Sequence, residues 1–91
     1  MNKKRDRLQI IHDILSVIRE KNGKIKPTHI LYKSNLSYQM MEEYLQELIQ
    51  KGFVVEHLSK QGKTYSVTER AHNYLEHYGM IKSFVENFGL D

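Results

Sequence analysis

The sequence predicts a mainly helical α+β fold, and three observations predict it. A short helix opened by Pro27 is followed, across a break at Ser34-Asn35, by a second helix running from Ser37 to Lys51. Gly52 closes that second helix, and two runs of β-formers, Val54–Leu58 and Tyr65–Val67, are joined by the polar stretch Ser59-Lys60-Gln61-Gly62-Lys63. The Ser37 helix has one wholly polar face, carrying Gln39, Glu43, Gln46 and Gln50. Helix, turn, helix and β-hairpin in this order is the layout of a winged helix-turn-helix, whose second helix enters the DNA major groove.

The first element begins behind a basic cluster, Lys3, Lys4, Arg5 and Arg7. Leu8, Ile11, Leu15 and Ile18 recur at spacings of three and four, with Ile14 and Val17 alongside, so an amphipathic helix ends near Asn22-Gly23. Asp6 with Gln9 three residues on makes a capping box, and a start at Asn2 is the alternative. Lys24-Ile25-Lys26 is the place for a short first strand beside the hairpin. Pro27 suits the first position of a helix, where a missing N–H costs nothing. Ile30 and Leu31 give that helix a small buried face.

Ser37 is the expected N-cap of the second helix, with Met41, Tyr44, Leu45 and Leu48 as its core stripe. Gly52 is expected in the left-handed conformation, with Phe53 folding back on Leu48. Thr68 is the expected N-cap of the last helix. That helix carries Ala71, Tyr74, Tyr78, Ile81, Val85 and Phe88, a 3.5-residue seam suited to packing on another helix. Gly79 interrupts it at a cost of about 1 kcal/mol relative to Ala, so a kink or break is open there. Gly89-Leu90 reads as a second stop.

Composition narrows the function. The 91 residues make one folding unit of net charge +3, divided as residues 1–68 for the winged domain and 69–91 for the C-terminal helix. Residues 1–33 hold nine Lys/Arg against three Asp/Glu, and residues 34–91 hold five against eight. A basic start suggests an anionic partner, with a solvated tail as the competing reading. There is no Cys, no run of the roughly 18 apolar residues a membrane span needs, and no HExxH, CxxC or glycine-rich phosphate loop. His72 and His77, five apart, do not share a helix face. No metal, cofactor or catalytic constellation is expected, and the chain reads as a cytoplasmic protein rather than an enzyme.

The candidate partner is double-stranded DNA. Gln39 and Gln46 can pair with the edge of adenine, and Tyr38 can reach a phosphate or a base. Glu42, Glu43 and Glu47 on or beside this face repel phosphates, so a merely solvated face or a protein-interaction module is the alternative. Ser37 opens the reading helix. Lys60, Gln61 and Lys63 suit phosphate or minor-groove contact, although lysines at a turn also serve solubility. Thr28, His29, Tyr32 and Lys33 lie on the helix that crosses the DNA backbone in this geometry, and Lys3, Lys4 and Arg5 add cations. The seam beyond Tyr78 exceeds what a winged domain can cover, so Tyr74, Tyr78, Ile81, Phe84, Val85 and Phe88 are the expected interface of a homodimer.

Five stretches carry a family resemblance: Leu8–Leu15, Pro27–Tyr32, Asn35-Leu36-Ser37-Tyr38, Tyr44-Leu45 with Lys51-Gly52, and Tyr65-Ser66-Val67-Thr68. Together they are similar to archaeal winged-helix proteins of the Sulfolobus 10a type. The resemblance spans about residues 4–78 and implies a small basic DNA-binding protein, nucleoid-associated or regulating transcription, that dimerises through a C-terminal antiparallel coiled coil. The chain departs from that pattern at His29, where the family favours a basic residue, at Ser34, where it favours Ala, and in its shorter tail after Gly79.

Overall fold

The computed structural model describes residues 5–90. The elements follow one another as α1 (Arg7–Glu20), α2 (Pro27–Ser34), α3 (Tyr38–Gln50), β1 (Val54–Ser59), β2 (Gly62–Val67) and α4 (Glu69–Asn87). Among the described residues no helix is long and apolar enough to cross a membrane.

Each boundary has a local cause. Asp6 caps α1 by accepting from the Gln9 amide, which selects the later of the two possible starts. Pro27 opens α2, and Asn35 ends it in the left-handed conformation at φ 54°. Ser37 and Thr68 cap α3 and α4 by accepting from the amides of Met40 and Ala71. Gly52, at φ 80°, lets the Phe53 amide return 2.8 Å to the Leu48 carbonyl, satisfying an end carbonyl of α3. The second stop is built alike: the Leu90 amide donates to the Val85 carbonyl at 2.9 Å, behind Gly89. Helix α4 runs unbroken through Gly79, so neither the kink nor the break left open by the sequence interrupts it.

The two strands pair antiparallel from Val54 opposite Val67 to Ser59 opposite Gly62. Ile25 adds a single bridge to Tyr65, as expected for the short first strand. Asn22 secures the same edge, its side-chain oxygen accepting from the Val67 amide at 2.7 Å.

One core joins all these elements. Ile14, Leu15 and Ile18 of α1 meet Ile25, Ile30, Met41, Leu45 and Leu48, closed by Val54, Tyr65 and Val67 of the hairpin and by Ala71 and Leu75 of α4. The inward stripe of α1 differs from the expected one. Ile10 and Ile14 are buried, whereas Leu8 is 58% exposed. Seven apolar residues in the eleven positions from Leu8 to Ile18 allow several helix rotations, and the neighbours decide. Helix α4 passes over the first turn of α1, with the Tyr74 hydroxyl donating to the Leu8 carbonyl at 2.6 Å, and leaves the Leu8 side chain outside.

Candidate nucleic-acid interface

The reading face is the outer side of α3. Met41, Leu45 and Leu48 point into the core, which turns Gln39, Glu43, Gln46 and Gln50 out into solvent by the 3.6-residue period. Tyr38 (65% exposed) stands at the start of this face. The Ser37 hydroxyl accepts from the Met40 amide, so Ser37 sets where the face begins. The Gln39 amide donates to Glu43 at 3.3 Å, one helical turn on.

The acidic residues of α3 do not act together. Glu47 turns toward α1 and is hydrogen-bonded by Arg7, 40 positions earlier, and by Lys51 at 2.6 Å. Arg7 also lies over the Tyr44 ring, 5.5 Å from its centroid. The Arg7 hydrogen bond, then that of Lys51, holds the Glu47 carboxyl down at about 2. Glu42 is half-buried on the hairpin side, where its charge acts on Tyr65. Burial first, and Glu56 second, push the Tyr65 phenol up to about 12. Only Glu43 stands on the open face itself.

The Arg7–Glu47 pair has a pH signature. A carboxylate whose folded pKa is depressed contributes stability that is complete above its ordinary pKa and lost as pH falls through the folded value. The stability difference between the wild type and Glu47→Gln should therefore be full at pH 7, shrink below about pH 4.5 and close near pH 2. Denaturant titrations followed by circular dichroism across that range measure it. A difference that stays constant down to pH 2.5 would show that the ion pair is not its source.

The expected cations separate into two groups. Arg5 donates to Asp13 at 2.8 Å and to the Asn35 carbonyl at 3.2 Å, tying the start of the chain to α1 and the end of α2. Lys33 lies 3.5 Å from Glu20. Arg5 thus holds elements together, whereas the Lys33 pair is exposed on both sides. At the hairpin tip Lys60, Gln61 and Lys63 are exposed, and Lys63 reaches Glu56 only at 3.9 Å. Ser59 shapes that tip, accepting from the Gln61 amide and donating to the Gly62 carbonyl. Thr28, His29 and Tyr32 share the exposed face of α2, Tyr32 being 82% exposed. Lys3 and Lys4 lie outside the described residues.

The seam of α4 splits in two. Its first half serves the domain: Tyr74 meets Phe53 edge-on at 6.2 Å, and Tyr78 stacks on His12 at 4.3 Å. Beyond Tyr78, Ile81 and Phe88 are 64% and 67% exposed, Phe84 is exposed beside Phe88, and Val85 is half-covered. Leu8 opens onto the groove between α1 and this arm, which Tyr78, Ile81 and Val85 also line. Sequence periodicity put Leu8 in the inward stripe and left the Arg7–Glu47 contact unread, since both are decided by residues distant in the chain.

The sequence matches the model of the winged helix-turn-helix family over residues 4–86. The chain belongs to that family. No curated protein sequence matches it. Among solved structures, this winged helix-turn-helix protein is similar to Sso10a-2, a DNA-binding protein from Sulfolobus solfataricus. That match has a TM-score of 0.75 at 23% identity and covers 92% of this chain and 85% of the other. A mutant of S. aureus MepR bound to an oligodeoxyribonucleotide gives a TM-score of 0.73 at 13% identity, over 90% of this chain and 62% of that one. SSV1 F-93 gives 0.66 at 22% identity, over 90% and 96%. At these identities the likeness concerns the fold. The four helices, the last of them the C-terminal helix, and the two-stranded antiparallel sheet expected from the sequence are present in this structure.

Proposed function

We propose that this winged helix-turn-helix protein binds double-stranded DNA as a homodimer and regulates transcription. In this reading α3 lies in the major groove, with Gln39 and Gln46 at base edges and Tyr38 beside them. Thr28, His29 and Tyr32 follow the backbone, Lys60, Gln61 and Lys63 of the wing meet phosphates or the minor groove, and Lys3 and Lys4 add charge. Residues 1–68 form the reading domain and 69–91 the dimerisation element, in a nucleoid-associated, cytoplasmic protein.

The observation that carries this reading is the bare outer face of α3 beside a projecting hairpin with lysines at its tip. The solved likeness to MepR, a protein seen bound to an oligodeoxyribonucleotide, supports it at the level of fold. A protein-interaction module would use the acidic residues of α3 as one surface, but Glu47 is turned away and engaged by Arg7 and Lys51.

Salt tests the proposal. The four lysines Lys3, Lys4, Lys60 and Lys63, at about −0.9 per phosphate, give a log–log slope of affinity against salt of roughly −3 to −4 for each chain bound. Titration of a fluorescent duplex between low and moderate salt reads this slope directly. Absence of binding at low salt, or a slope near zero, would overturn the DNA reading in favour of the protein-interaction module.

A further inference from the structure

Glu43 stands out on the proposed reading face. A groove-facing carboxylate is repelled by the phosphates on both sides, so it weakens binding to every duplex that gives it nothing in return. The other two acidic residues of α3 are accounted for, Glu47 by Arg7 and Lys51, and Glu42 by its place beside the hairpin. Glu43 is exposed at the middle of the face, and its one hydrogen-bond partner among the described residues is the Gln39 amide.

The chemistry of that pair is specific. The major groove offers two amino donors, adenine N6 and cytosine N4; adenine also presents the N7 acceptor and is matched by an amide, whereas the acceptor-only carboxylate is matched by cytosine N4. Gln39 Nε2 carries two hydrogens, and Glu43 takes one. The second hydrogen and the amide oxygen remain, and these are the donor and acceptor that adenine N7 and N6 require. The amide and the carboxylate are in hydrogen-bond contact at 3.3 Å, so in the groove the two head groups can meet only one base pair or two neighbouring ones, and no single pair holds both a cytosine and an adenine.

We infer that Glu43 reads the N4 amino group of a cytosine while Gln39 reads an adenine in the adjacent base pair, so that the preferred sites contain a C·G pair next to an A·T pair. The inference rests on the DNA reading proposed above and adds the bases recognised. Glu43 then acts chiefly as a discriminator, excluding sequences that leave its charge unpaired.

Selection from a pool of randomised duplexes, with the wild type, Glu43→Gln and Gln39→Ala, tests it. Gln is a good helix former, so the exposed Glu43→Gln change leaves α3 folded. The wild type should enrich C·G at one position with A·T beside it. Glu43→Gln should lose the C·G preference, about tenfold, at that position alone. It should also bind random duplex more tightly than the wild type, the opposite direction. Gln39→Ala should relax the neighbouring A·T. An unchanged preference in Glu43→Gln, or a wild-type pool with no C·G beside A·T, overturns the inference while duplex binding stands. A wild type that retains no duplex at low salt overturns the DNA reading with it.

Discussion

The double substitution Ile81→Asp with Val85→Asp is expected to give a folded monomer that has lost most of its affinity for duplex DNA. Both residues lie on the arm of α4 beyond Leu75, the last residue of that helix in the core. The buried core is therefore untouched, and among the described residues the two side chains face only the groove beside Leu8 at the start of α1. In the proposed dimer the same surface is used by both chains, so each residue counts twice. Burying a side chain of this size contributes about 1.5–3 kcal/mol, and two charges in its place oppose association from both sides. Losing the partner removes the second α3, whose separation of about 34 Å or a multiple allows two successive major grooves to be read. Circular dichroism should report an unchanged fold, sedimentation a single chain, and titration much weaker binding. An unmodified protein that sediments cleanly as a 10.8 kDa monomer at micromolar concentration would refute the arrangement.

The second large effect is on stability. Ile14→Ala is expected to cost about 2–5 kcal/mol, because Ile14 of α1 is fully buried in the core and its removal leaves a cavity. A domain of this length has roughly 5–14 kcal/mol in total, so much of it goes. Each kcal/mol moves the midpoint of so small a domain by about 4–8 °C. Thermal unfolding should therefore shift by roughly 10 °C or more. A shift within one or two degrees would mean that the site collapses around the smaller side chain. The exposed Leu8→Ala change, on the same helix, serves as the comparison and should leave the midpoint nearly unmoved.

What could be read from the chain was local. Ser37, Thr68, Gly52 and Pro27 act within three or four residues of themselves, and each stands where its chemistry puts it. The polar face of α3 was legible for the same reason, since 3.6-residue periodicity sorts Met41, Leu45 and Leu48 from Gln39, Glu43 and Gln46. Contacts between distant parts were not legible. Nothing near Arg5 announces Asp13 and the Asn35 carbonyl as its partners, so a cation tied into the fold looked the same as one open to phosphate. Glu47 looked like part of an acidic surface until Arg7 met it across the domain. The rotation of α1, which exposes Leu8, was set by where α4 came to lie.

The way Asn22 and Ile25 hold the inner edge of the hairpin makes the sheet one-sided. Tyr65 and Val67 have their edge groups occupied, by the Ile25 bridge, by the Gly23 amide donating to the Tyr65 carbonyl at 2.8 Å, and by Asn22. β1 has β2 on one side and no strand on the other among the described residues. A strand arriving from another molecule thus finds β2 sealed and β1 as the place to add. Unpaired strand edges template aggregation, and short length and charged side chains counter it. β1 is six residues long, sets Glu56 between the exposed Val55 and Leu58, and runs out at Ser59 before Lys60. That edge is self-limiting as a polymerisation surface, which lets the hairpin project from the body without recruiting further copies through its backbone.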